Sequence, residues 1–106
     1  MNQQNRWMSL LGLANRARKV ISGEELVIKE IRSNKAKVVI MARDASENTR
    51  KKITDKCSYY NVPVYQVADR GVLGQAIGKE ARVTIAVLDA GFAAKISELL
   101  DESQWG

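Results

Sequence analysis

Two spacings of apolar residues trade places along this chain. Over residues 3–17, Trp7, Leu10, Leu11, Ala14 and Ala17 fall near helical spacing, which predicts a first helix. Arg16, Arg18 and Lys19 crowd its C-terminal end, where cations complement the helix dipole. "KVIS" at 19–22 predicts a very short strand. From about Gly23 to Ser33, Leu26, Val27 and Ile31 give one apolar face, with Lys29 and Glu30 off it, the pattern of an amphipathic helix. "AKVVIMA" at 36–42 is an almost unbroken apolar and β-branched run, which predicts a strand covered on both faces. After the loop "RDASEN", Ser46 is placed to cap a third helix over about 47–60. "VPVYQV" at 62–67 predicts the next strand, entered through the only proline. "DRGVLGQAIG" at 69–78 predicts a short helix punctuated by glycines, and "RVTIAVLD" at 82–89 a fourth strand. Phe92, Ile96, Leu99 and Leu100 then mark a last helix over 90–102, with the tail from about 103 expected to fray.

Helix and strand alternate throughout, which argues for a central sheet with helices on both faces: an α/β fold, a three-layer α/β/α sandwich. Four strands and five helices fill the 106 residues with short connections, as a single domain over 1–106. The pattern leaves strand order open.

Charge adds a direction to this picture. Residues 1–56 hold 13 Lys/Arg against 6 Asp/Glu, and residues 57–106 hold 4 against 6. A net +7 in one half and −2 in the other suggests one positive face, the footprint of an RNA or DNA binder. A solvated charged surface would look the same by composition alone. Aromatic residues are sparse and not interleaved with the basic ones, which argues against a stacking platform for single strands and for recognition of RNA by shape and backbone.

Several function classes are excluded by what the chain lacks. With no histidine and a single cysteine, it has no intrachain disulfide, no Cys/His zinc site and no histidine acid–base catalyst. Cys57 falls on a predicted helix as a small buried apolar group. "MNQQNRWMSL" has no apolar segment of a secretory signal, and the longest apolar runs are strand-sized against the roughly 20 residues that span a bilayer. A soluble, cytoplasmic, monomeric protein without cofactor or metal is the expectation.

Two motifs need weighing. "SGEELVIK" at 22–29 reads as a capping box, Ser22 accepting from the amide three residues on and Glu25 reaching back. It also reads as a glycine turn opening a helix whose first amides could meet phosphate, with Lys29 one turn further along. The glycines at 71, 74 and 78 lack the spacing of a dinucleotide or Walker loop, and they fit turns and close helix packing better. Glu24 and Glu25 sit where carboxylates suit a helix start, and no serine has a plausible base partner, so no catalytic residue is assigned.

Taken in register, "SGEELVIKEIRSNKAKVVIMARDAS" (22–46), "NVPVYQV" (61–67), "LGQAIG" (73–78) and "VTIAVLD" (83–89) resemble the kink-turn RNA-binding family of ribosomal proteins L7Ae and L30e, most closely its small bacterial members. The match covers roughly residues 8–98. The resemblance implies the same three-layer sandwich with a four-stranded mixed sheet. It implies a ligand as well: RNA bent sharply at an internal loop carrying tandem sheared G·A pairs, such as ribosomal RNA or an mRNA leader. By position, the helix start that enters the bend is Gly23, Glu24, Glu25 and Lys29. Arg50 falls where the family packs a side chain against RNA, and Arg70 at a phosphate-contacting position. Lys79 lies in the loop that covers a flipped-out nucleotide, with Arg82 nearby. Arg18, Lys19 and Arg43 are expected to add phosphate contacts.

This chain departs from the family at the centre of that site. Glu25 and Leu26 stand where the family commonly has Asn-Glu: either Glu24 or Glu25 takes over the base-reading acceptor role, or both carboxylates serve only the helix start and affinity rests on Arg and Lys contacts with weak specificity. The alternative to RNA is a protein-interaction module whose basic face docks an acidic partner. Relatives of the fold also serve as RNA-recognising domains of RNA methyltransferases, but the catalytic domain of those enzymes has no counterpart in these residues.

Overall fold

The structure, a computed structural model, describes residues 6–105, with side chains described through residue 102. The elements follow the predicted alternation: α1 (Arg6–Arg16), β1 (Val20–Ser22), α2 (Glu24–Arg32), β2 (Val38–Met41), α3 (Glu47–Tyr60), β3 (Val64–Gln66), α4 (Arg70–Ala76), β4 (Thr84–Val87) and α5 (Ala90–Trp105). The part of the first predicted helix at residues 3–5 lies outside the described residues. α5 is helical through Trp105. After Gly91 in its first turn, no glycine or proline interrupts this helix.

The four strands form one mixed sheet in the order β1-β4-β2-β3. β2 and β3 are parallel, and β4 runs antiparallel to both β1 and β2. Successive strand residues point to opposite faces, so each central strand feeds two cores. Val38, Ile40, Ile85 and Val87 join Trp7, Leu11, Leu73, Ile96 and Leu100 beneath α1, α4 and α5. Val39, Met41 and Ala86 join Val27, Ile31, Ile53 and Cys57 beneath α2 and α3. Every residue of β2 and β4 is buried, which is why "VVIM" shows no polar alternation.

Local chemistry sets the helix ends. Ser46 caps α3, its hydroxyl accepting from the Thr49 amide at 3.1 Å. Asp69 caps α4 by accepting from the Val72 amide at 2.9 Å. In α2, Val27 and Ile31, four apart, face the core. Leu26 does not share their stripe: it lies about 100° round the helix and is 54% exposed. Cys57 is buried, and that burial pushes its thiol up to about 11. Gly74 gives "LGQAIG" its meaning, because a Cβ there would lie 2.7 Å from the Ala81 backbone. The segment leading into β4 therefore rests directly on α4.

Candidate nucleic-acid interface

β1, β2 and β3 all end at the same edge of the sheet, where β4 begins. The starts of α2, α3 and α4 therefore gather at one rim. Gly23 leaves β1 with φ 105° and ψ 137°, a backbone conformation that L side chains rarely adopt. Its amide donates to the Thr84 carbonyl at 3.1 Å, its carbonyl takes the first helical bond from Val27, and a Cβ on it would meet nothing within 4 Å. The tip of α2 is thus anchored through the backbone and open to solvent. The capping box expected at Ser22 is absent: Gly23 is the N-cap, with no side-chain cap. Ser22 is held in β1 by pairing with Ile85, and its hydroxyl instead accepts from Arg82 Nε at 3.0 Å.

Beside the tip lies a cleft of about 360 Å³. Gly23 and Glu24 form one wall, Ser46 and Thr49 another, and Arg70 and Arg82 a third, with Thr84 also lining it. Thr84 is 1% exposed, and its hydroxyl has no hydrogen-bond partner among the described residues.

The charges around the cleft are held in place. The Thr49 hydroxyl donates to Glu24 Oε1 at 2.7 Å and accepts from Ser46 Oγ at 3.1 Å, while Lys52 Nζ approaches Glu24 Oε2 at 3.4 Å. The Thr49 hydrogen bond, with help from Lys52 and against partial desolvation, holds the Glu24 carboxyl below its ordinary value. Across the cleft, Arg70 meets Asp44 three times, through its amide and Nε to the carboxylate and through its other guanidinium nitrogen to the Asp44 carbonyl. Desolvation pushes the Asp44 carboxyl up, but the hydrogen bonds and charge of Arg70 outweigh it and hold the group below its usual range. Arg82 also donates to the Ala81 carbonyl at 2.6 Å. Arg50 is folded back on its own loop, bonding Glu47 at 2.7 Å, the Arg43 carbonyl at 2.8 Å and the Ala45 carbonyl at 3.3 Å.

The expected site residues thus divide into groups. Gly23, Glu24, Arg70 and Arg82 line the cleft. Glu25 and Lys29 lie on the outward face of α2, one turn apart, exposed and with no partner among the described residues. Arg43 is exposed on the loop after β2, and Lys79 on the loop after α4. Arg50 stands at the same rim, but its guanidinium clamps the 43–47 loop. Arg18 and Lys19 are elsewhere. They precede β1, and a strand about 10 Å long separates them from Gly23, so they belong to the opposite end of the sheet. Ser46, Thr49, Asp44 and Thr84 complete the site and were not among the expected residues. Only the Ser46 cap signal pointed toward them.

The chain matches the Ribosomal protein L7Ae/L30e/S12e/Gadd45 family over residues 5–97. It is 65% identical over 95 residues to the RNA-binding protein YlxQ of Bacillus subtilis (strain 168), covering 90% of this chain and 95% of that protein. It is 50% identical over 103 residues to the RNA-binding protein YlxQ of Enterococcus faecium, covering 95% of this chain and 99% of that one. A solved Bacillus halodurans protein of unknown function superposes with a TM-score of 0.89 at 49% identity, over 91% of this chain and 97% of its own. By sequence and by fold, the chain belongs to the ribosomal protein L7Ae/L30e/S12e/Gadd45 family.

Proposed function

We propose that this protein is a non-enzymatic, cytoplasmic, monomeric RNA-binding protein that recognises kink-turn-like RNA, in association with the ribosome or translation. The observation that carries the reading is the α2 tip: a solvent-open glycine start, fixed to β4 through its backbone, beside a cleft with Arg70 and Arg82 on one wall. The names of the YlxQ relatives support RNA as the ligand, and membership of a ribosomal-protein family supports the bent RNA and the ribosomal setting. The buried Thr84 hydroxyl adds to this, since an unpaired buried hydroxyl costs about 1–3 kcal/mol that a polar ligand atom would recover. Among the described residues no group of His, Cys, Asp or Glu could hold a metal ion, and no helix is long and apolar enough to cross a membrane.

The geometry supports a role for each residue. The open amides at the start of α2 meet phosphate. Glu24 is engaged by Thr49 and Lys52, so Glu25 is the carboxylate of the tip left to accept from base donors. Leu26, exposed on the same turn, offers an apolar surface where the family commonly has an acceptor. Lys29, Arg43 and Lys79 are unpaired cations for the backbone, while Arg70 and Arg82 present fixed ones.

The test is a calorimetric titration of the protein with a kink-turn RNA and with the same duplex lacking the internal loop. Tighter binding to the kink-turn is expected, together with affinity that falls steeply with salt. Lys29→Ala should weaken binding several-fold without changing the melting temperature. Equal affinity for the two RNAs would remove the specific form of the reading.

A further inference from the structure

The end of the sheet opposite the cleft carries a second cluster of cations, built from two chain segments held side by side. The first segment leaves α1 through Arg18 in a left-handed turn (φ 62°), and the Lys19 carbonyl then accepts from the Leu88 amide at 2.7 Å. The second leaves α2 through Asn34 (φ 61°), and the Lys37 amide donates to the Val87 carbonyl at 2.8 Å. Consecutive residues at the end of β4 therefore pin both segments, about 10 Å apart across that strand.

Arg16, Arg18, Lys19, Arg32, Lys35 and Lys37 are all exposed and none forms an ion pair; Lys37 Nζ donates to the Asn34 carbonyl at 3.2 Å. The acidic groups near these cations are Glu30 and Asp89, both partly buried, and the exposed Asp55, which lines a surface pocket with Arg32. Asp89 is engaged in capping α5 through the Phe92 amide at 2.8 Å. Helix dipoles account for Arg16 and Arg32, which lie in the last turns of α1 and α2. They do not account for Lys19, Lys35 and Lys37, which lie beyond the helix ends.

A polyanion fits this surface better than a protein does. The other exposed residues of the two segments themselves are Ala17, Ser33 and Asn34; the large exposed side chains of Leu13, one turn back on α1, and Tyr59, at the end of α3, lie outside them. Long cations not held in ion pairs suit phosphates spaced along a backbone and carry no sequence preference. Five residues separate Lys37 from Arg43 at the cleft rim, a span of about 20 Å along extended chain.

We propose that this second cationic end binds the phosphate backbone of a separate double-helical RNA segment, independently of sequence, so that the protein bridges two parts of a folded RNA. The choice of RNA as the polyanion rests on the RNA-binding reading of the family, but the surface itself is distinct from the α2 tip.

The test uses the full chain and a short, perfectly paired RNA duplex without an internal loop, titrated by fluorescence anisotropy across a salt series. Two variants are compared: Arg18→Gln/Lys19→Gln/Lys35→Gln/Lys37→Gln at this end, and Lys29→Gln/Arg43→Gln/Lys79→Gln at the cleft rim. Circular dichroism establishes that both are folded. The first variant should lose at least about tenfold in duplex affinity at low salt, with the salt slope reduced by about 3 to 4, while the rim variant keeps most of its duplex binding. Equal losses in both variants, a loss confined to the rim variant, or a wild-type chain that does not bind the duplex would overturn the proposal. Failure of the kink-turn reading shows separately, as equal wild-type affinity for kink-turn RNA and duplex, and leaves the comparison of the two variants intact.

Discussion

Thr49→Val tests how the α2 tip is held. The substitution keeps the shape of the side chain and removes the hydroxyl that reaches Glu24 at 2.7 Å. A hydrogen bond to a charged group is worth about 1.5–3 kcal/mol. The Glu24 side chain is 31% exposed and Lys52 remains nearby, so the expected loss is nearer about 1 kcal/mol at neutral pH. The pH dependence gives the cause away. Thr49 is the main reason the Glu24 carboxyl lies below its ordinary value of 4.5. A carboxyl depressed in the folded state contributes stability that is complete above the unfolded value and lost as pH falls through the folded one. The gap between wild type and Thr49→Val in urea unfolding should therefore be widest at neutral pH and narrow progressively below pH 4.5. A Glu24→Gln background should shrink the same gap at neutral pH, since the charged acceptor is gone. A gap that ignores both pH and the Gln background would refute the reasoning and make the effect one of local packing.

Further outcomes can be checked with single substitutions. Ser46→Ala should cost about 1 kcal/mol in urea unfolding by leaving the Thr49 amide uncapped. Ser22→Ala should leave hydrogen-exchange protection at the start of α2 unchanged, because Gly23 occupies the cap position; lost protection there would reinstate Ser22 as the cap. Gly74→Ala should cost about 1–3 kcal/mol by driving the 79–82 segment off α4, read as a lower urea midpoint. Cys57, buried and with its thiol at about 11, should resist a thiol reagent at pH 8 in the native chain and react at once after unfolding.

The layers of the fold were legible because each rests on a local pattern. The unbroken apolar run of β2 announces a strand covered twice, and Ser46 announces the start of α3. The cleft was legible only in part, because its side chains answer to distant partners. Ser22 matches a capping sequence, yet its pairing with Ile85 keeps it in β1 and hands its hydroxyl to Arg82, 60 residues away. Arg70 finds Asp44 26 residues earlier, and Glu24 finds Thr49 25 residues later. Arg18 and Lys19 lie away from the cleft for the opposite reason. They are close to Gly23 in sequence, but a strand running straight between them carries them to the far edge.

Because three helices begin at one rim, part of the positive potential there comes from peptide dipoles rather than from ionisable groups. That contribution has no pKa and cannot be removed by substituting side chains. Individual lysines and arginines of the rim can therefore drift in evolution while the attraction for anions persists, and a rim stripped of its cations would still hold a remnant of it.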